Sequence, residues 1–245
     1  MTVISLKKRL HGCILDVGGG GEGVIGRLYP RQVVAIDHDE DELMDAPGDF
    51  ERLLMDATKL TFPDAFFDAA TFFYSLMFMT ADEQRAALAE AARVLRPGGR
   101  LCIWDCAFDR AYPEPFSVNL TIDLDGEILH TTYGICKLDG QSMAQIAEIC
   151  RALSLRPLRA EESSAHFYLE FEKDETVSKG TQKVGCCKLC YRNSHFNSCD
   201  FRFQRPFKIP ASRQRHGHYG LGGLHCFIQP FASRQLAVRY VLRKA

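Results

Sequence analysis

The chain has 245 residues, 25% of them charged and 46% hydrophobic, with a formal net charge of −1. That length excludes a disulfide-stapled mini-protein and suits one domain, or one domain with an extension. No stretch reaches the roughly 18 consecutive apolar residues of a membrane-spanning helix. The near-neutral charge conceals two unlike parts. Residues 1–172 hold 16 Lys and Arg against 28 Asp and Glu, a net of −12, whereas residues 173–245 hold 14 against 3, a net of +11. We therefore expect an acidic domain over 1–172 and a basic, Cys- and Arg-rich tail over 173–245.

The opening segment MTVISLKKRLHGCILDV carries two Lys and one Arg, and its apolar stretch is broken at Asp16. A secretory leader needs an uninterrupted apolar core and a small-residue cleavage site. Neither is present, so the expected compartment is the cytoplasm. Cys13, Cys102, Cys106, Cys136 and Cys150 are spread through apolar segments, the pattern of buried thiols.

The elements follow in order. Residues 13–17 are a short apolar run ending in glycines and read as a buried strand, with which the body begins; Val24 to Tyr29 is helix-compatible. Residues 32–37 form a second strand ending on Asp37, and 41–45 a short helix before Pro47 and Gly48. Strands are expected at 53–57 and 67–73. The clearest helix runs from Thr80 to Leu95, with Thr80 or Asp82 as cap and Leu88, Ala91, Ala92 and Leu95 in one stripe. Pro97-Gly98-Gly99 stops it, and 100–106 is a fifth, very apolar strand. Alternating strands and helices imply a Rossmann-like, doubly wound, mostly parallel sheet. Beyond it, Asp125-Gly126 lies between two β-type runs and marks a hairpin. Residues 142–153 make an amphipathic helix, and 156–160 and 166–171 two strands that close the sheet in antiparallel fashion. The fold is complete at Phe171-Glu172, leaving a poorly structured basic C-terminal extension.

Five glycines fill six positions at 18–23 between the first strand and first helix. Glycines there permit positive φ and close approach of a ligand to the backbone. Gly18, Gly20 and Gly23 satisfy the dinucleotide fingerprint, with Asp37 near the place of its ribose-binding acid. Three features argue for a different ligand. Asp16, just before the glycines, would repel a pyrophosphate and attract an amino group. Asp56-Ala57 ends the third strand, where an acid can accept from an adenine amino group. Leu95-Arg96-Pro97-Gly98-Gly99-Arg100 leads into the fifth strand, and no separate substrate domain is evident.

In this order, the segments 14–20, 34–37, 55–57, 66–73 and 94–99 resemble the class I S-adenosylmethionine-dependent methyltransferases of the small single-domain type. Many relatives have a third glycine where this chain has Glu22, with Gly23 one step later. The resemblance covers roughly residues 12–172. It implies methyl transfer from S-adenosylmethionine to a small-molecule acceptor. It also implies that Asp16 holds the methionine amino group, and that Gly18 and Gly20 let the backbone approach the cofactor. Asp37, with His38 beside it, would accept from the ribose hydroxyls. Asp56 and Ala57 would flank the adenine, and Phe72 and Phe73 the methionine arm. Asp68 is expected to orient its strand, and Phe66 and Phe67 to be core. Tyr74, Leu76, Met77 and Phe78 either face substrate or form a packed core stripe.

The sulfonium makes its own methyl group electrophilic, so the reaction mainly requires alignment of the acceptor. No catalytic residue is transferable from the resemblance. By position, Trp104, Asp105, Asp109 and Tyr112 follow the fifth strand, and His130 and Tyr133 lie on the hairpin that is expected to roof the acceptor site or make a dimer contact. No metal is expected in the body, no membrane contact is expected, and the oligomeric state is open. For the tail three readings stand: a zinc-and-nucleic-acid module on Cys187, Cys190, His195 and Cys199, one residue short of a zinc-knuckle spacing; a disordered basic extension; or a stretch read in a shifted frame. The first would make the protein a non-catalytic cofactor- or nucleic-acid-binding regulator, and composition favours the other two.

Overall fold

A computed structural model describes residues 2–108, 116–135, 140–175, 226–228 and 238–241. Its strands are β1 (Thr2–Leu6), β2 (Ile14–Val17), β3 (Val33–Asp37), β4 (Glu51–Leu54), β5 (Phe67–Phe73), β6 (Leu95–Cys106), β7 (Phe116–Leu124), β8 (Glu127–Ile135), β9 (Leu155–Ser163), β10 (His166–Lys173), β11 (Cys226–Ile228) and β12 (Val238–Val241). The helices are α1 (Val24–Leu28), α2 (Glu40–Asp45), α3 (Ala81–Val94) and α4 (Met143–Ala152). The zinc-module residues of the tail lie outside the described residues, as do Asp109, Tyr112 and Cys136.

The main sheet has the order β4-β3-β2-β5-β6-β10-β9. β4 to β6 are parallel, while β10 runs antiparallel to both β6 and β9. Chain order reverses at β2: β3 and β4 lie to one side of it, β5 and β6 to the other. In an open α/β sheet, ligands bind beyond the strand ends at such a reversal, so the topology alone directs attention to the end of β2.

Both faces of the sheet are covered. Alternation along β5 sends Phe72 to one face and Phe73 to the other. Phe72 packs in a core with Leu15, Val17, Ile36, Leu88, Ala91, Ile103, Ile146 and Cys150, beneath α3 and α4. Phe73 joins the opposite core with Ile14, Ile25, Leu28, Ala35, Leu120 and Ile122, beneath α1 and the β7–β8 hairpin. α3 is held at its start by a capping box: Thr80 Oγ1 accepts from Glu83 N, and the Glu83 carboxylate accepts from Thr80 N. Near its end, Arg93 pairs with Glu90 and Asp64 and donates to the Leu60 and Phe62 carbonyls, tying the helix to the loop before β5. Asp68 accepts from Cys13 N at 2.8 Å and pairs with Arg96, so it orients its strand as expected.

A second sheet has the order β1-β7-β8-β12-β11. Its hairpin turns at Asp125 and Gly126, with φ of 55° and 103°. Positive φ at both central residues is the geometry that matches the twist of paired strands. β1 corrects the expectation that the body begins at residue 13. Thr2 to Leu6 pairs in parallel with Leu120 to Leu124 and buries Leu6 while leaving Val3 exposed. A second correction concerns the third main-sheet strand, which ends at Leu54 rather than running to Ala57. After Met55, the Asp56 side chain accepts from both N and Oγ1 of Thr58 and bends the chain into a turn. Among the described residues, no helix is long and apolar enough to cross a membrane.

Candidate active site

A cavity of about 310 Å³ opens at the end of β2. Its walls gather residues from the glycine loop, the ends of β3 and β5, the turn after β4, the start of α3, and β8. Asp16, Gly18, Gly20, Asp37, His38, Asp56, Ala57 and Phe73 all line it. Of the residues expected around the cofactor, Phe72 does not. It is fully buried under α3, because neighbouring residues on a strand face opposite ways.

The glycine loop is closed by backbone bonds. Gly18 N and Gly19 N donate to Ile36 O at 2.8 and 3.1 Å, and Gly21 N donates to Glu42 O at 2.8 Å. Gly18 has φ of 73°, and a Cβ there would sit 2.5 Å from the Ser75 Cβ. A Cβ on Gly20 would come within 2.8 Å of the Glu42 Cβ and 3.0 Å of Asp37 Oδ2. Side chains at either position would collide with these neighbours, so the loop holds this conformation only with glycine there.

Three carboxylates face this cavity in different electrostatic states. Asp16 is only 2% exposed and accepts a 2.7 Å hydrogen bond from Thr71 Oγ1. Burial pushes its carboxyl from 3.8 up to about 7; the Thr71 bond opposes the rise and the charge of Asp37 adds to it. Asp37 is also buried; its Oδ1 accepts from Asp39 N at 3.1 Å and lies 3.2 Å from His38 Nδ1, while Oδ2 is 3.4 Å from Gly20 N. For Asp56 burial acts upward, but the two Thr58 bonds and the nearby Lys59 and His38 outweigh it and hold the carboxyl below its ordinary range.

The remaining wall is aromatic. Tyr74 follows β5 with φ of 52°, a conformation that costs a bulky residue energy. Its ring stacks on Tyr133 at 5.9 Å, and its hydroxyl is 2.8 Å from His166 Nδ1. Phe78 meets Tyr133 edge-on. Glu22 crosses from the glycine loop to β8: its carboxylate accepts from Thr131 Oγ1 at 2.5 Å and Tyr133 Oη at 3.0 Å. The hairpin thus contributes Tyr133 to the cavity wall.

The other acceptor-side candidates sit elsewhere. His130 bonds Thr121 on the exposed side of the hairpin. Asp105 is fully buried and accepts from Gln141 Nε2, Cys106 N and Met77 N, which makes it a strut beneath the single 3-10 turn at Leu76–Phe78. Trp104 packs between Phe73 and Tyr168. Sequence reasoning did not single out His166 or Glu22 as site residues. His166 is distant in sequence from every motif, and Glu22 was read only as a departure from a glycine pattern.

Residues 15–103 match the family described as the methyltransferase domain. A ubiquinone/menaquinone biosynthesis C-methyltransferase of Stutzerimonas stutzeri is 31% identical over 170 residues, covering 60% of this chain and 62% of that protein. An O-methyltransferase, rstn1, of Aspergillus nomiae is 36% identical over 114 residues, covering 42% of this chain and 50% of that one. The chain spans half or less of the length of the first curated relatives it matches. Among solved structures, the [4+2]-cyclase SpnF aligns with a TM-score of 0.50 at 18% identity, over 69% of this chain and 78% of that one, a likeness of fold. With the glycine loop, the three carboxylates and the strand order in place, residues 15–103 match a methyltransferase domain, and the curated relatives that match are named as methyltransferases.

Proposed function

We propose that the cavity at the end of β2 binds S-adenosylmethionine and that the protein transfers its methyl group to a small-molecule acceptor. The observation that carries this reading is the convergence of Asp16, Asp37 and Asp56 on one cavity behind a glycine cradle. The donor set fits the cofactor's parts. Asp16, buried and short of a counter-charge, suits the cofactor's ammonium group, whose arrival would draw the carboxyl back toward ionisation. Asp37, positioned by Asp39 N, offers oxygens to ribose hydroxyls. Asp56 and Ala57 border the adenine, with Met55 beside them in the wall. Phe73 borders the methionine arm.

The bound cofactor supplies an electrophilic methyl group on sulfur. The chain's own contribution is to hold the acceptor in line and keep water out. Tyr74, Phe78, Met79 and Tyr133 form an apolar, largely buried wall suited to both tasks. Curated relatives carry both O- and C-methyltransferase names, and we propose only the common chemistry for this chain. A cytoplasmic setting is part of the proposal.

The test is a screen of small-metabolite pools with methyl-labelled cofactor, using the full-length protein. Label should appear in an acceptor fraction and be lost with Asp37→Ala. No transfer into any pool by a protein that binds the cofactor would count against catalysis.

A further inference from the structure

We propose that the methyl acceptor presents an uncharged hydroxyl or amine, received against a wall of Tyr74, Tyr133 and Glu22 that offers hydrogen-bond acceptors and excludes anions. The inference rests on reading the cavity as the cofactor site and goes on to the chemistry of the second substrate.

It follows from where the protons in this wall are spent. Burial lowers the pKa of His166, so its imidazole is neutral near neutral pH and one ring nitrogen carries no proton. Burial raises the pKa of Tyr74, so its phenol stays protonated and, in the imidazole tautomer that leaves Nδ1 bare, donates across the 2.8 Å contact to His166. Tyr133 donates to Glu22 at 3.0 Å, and Ser75 Oγ donates to Val17 O at 2.7 Å. The backbone is committed as well: Tyr74 N donates to Trp104 O and Phe78 N to Ser75 O. Each of these donors points into protein, which leaves oxygen lone pairs and ring faces as the wall's polar offering.

Charge points the same way. The described residues lining the cavity include five carboxyl groups, those of Asp16, Glu22, Asp37, Asp56 and Glu83, and no Lys or Arg. A carboxylate or phosphate entering beside Glu22 would be desolvated without a counter-charge, which is strongly unfavourable. A hydroxyl or amine brings the donor that the wall lacks. The strained φ of Tyr74 is consistent with a residue held in place for such a contact.

The full-length protein, saturated with S-adenosylhomocysteine, would be titrated by ligand-observed NMR with phenol, aniline, benzoate and phenyl phosphate. Phenol and aniline should bind saturably, and the two anions at least about tenfold more weakly. Glu22→Gln, which replaces charge by an amide donor, should narrow the phenol-to-benzoate gap to about threefold or less. Tyr74→Phe should weaken phenol by about 2- to 10-fold while leaving S-adenosylhomocysteine affinity unchanged. Benzoate or phenyl phosphate binding as tightly as phenol overturns the proposal. So does an unaltered gap in both variants, or an absence of phenol binding while S-adenosylhomocysteine binds. Failure of S-adenosylhomocysteine itself to bind overturns the reading of the cavity, and this proposal with it.

Discussion

Replacing Asp16 by Asn should stabilise the fold and weaken the cofactor complex at once. Asp16 is buried on β2, and its pKa is raised from 3.8 to about 7, chiefly by loss of hydration. A rise of that size costs the ionised form roughly 4 kcal/mol relative to an exposed carboxylate. The sign follows from proton binding. Between those two values the folded chain keeps a proton that the unfolded chain releases, so stability falls as pH rises from about 4 to about 7. Above that range the whole penalty is in force. Asparagine can still accept from Thr71 Oγ1 and carries no charge to bury. We expect Asp16→Asn to gain about 1–4 kcal/mol at about pH 8, with the gain vanishing near pH 3.5. Urea denaturation of both proteins across that range measures it. Calorimetry on the same samples should show S-adenosylmethionine affinity reduced at least about tenfold, because the ammonium loses its charged partner. A variant less stable than wild type at about pH 8, or equal in cofactor affinity, would refute the assignment of Asp16 as a buried charge reserved for a cation.

Three further substitutions separate binding from folding. Asp37→Ala should lower S-adenosylmethionine affinity at least about tenfold by calorimetry, since buried oxygens that can accept ribose hydroxyls are removed. Thr80→Ala breaks the capping box of α3 and should cost about 1 kcal/mol in urea denaturation, with cofactor affinity unchanged. Leu88→Ala removes a fully buried side chain between α3 and the sheet and should cost about 2–5 kcal/mol.

The glycine loop, its flanking acids and the five parallel strands were legible because each rests on short-range chemistry. Apolar runs of strand length, glycines at a strand-to-helix turn and a capping residue at Thr80 or Asp82 all state their purpose locally. The closing strands and hairpin were legible for the same reason: alternation and Asp125-Gly126 are local signals. What escaped is what depends on distant partners. β1 is five residues long and becomes a strand only by pairing with β7, more than a hundred residues away. Phe72 and Phe73 look alike in sequence, but the pleat sends one to the core under α3 and the other to the cavity. His166 backs the cavity wall because β10 lies beside β6, which brings its Nδ1 within 2.8 Å of the Tyr74 hydroxyl. Glu22 gains its meaning from Thr131 and Tyr133, which belong to a different sheet.

The central claim is that the cavity at the end of β2 is a cofactor site, and equilibrium dialysis of the full-length protein against radiolabelled S-adenosylmethionine tests it most directly. The account predicts saturation at close to one molecule per chain, displacement by S-adenosylhomocysteine, and a marked loss of binding in Asp37→Ala. Retention of no label at millimolar cofactor by correctly folded protein would contradict it.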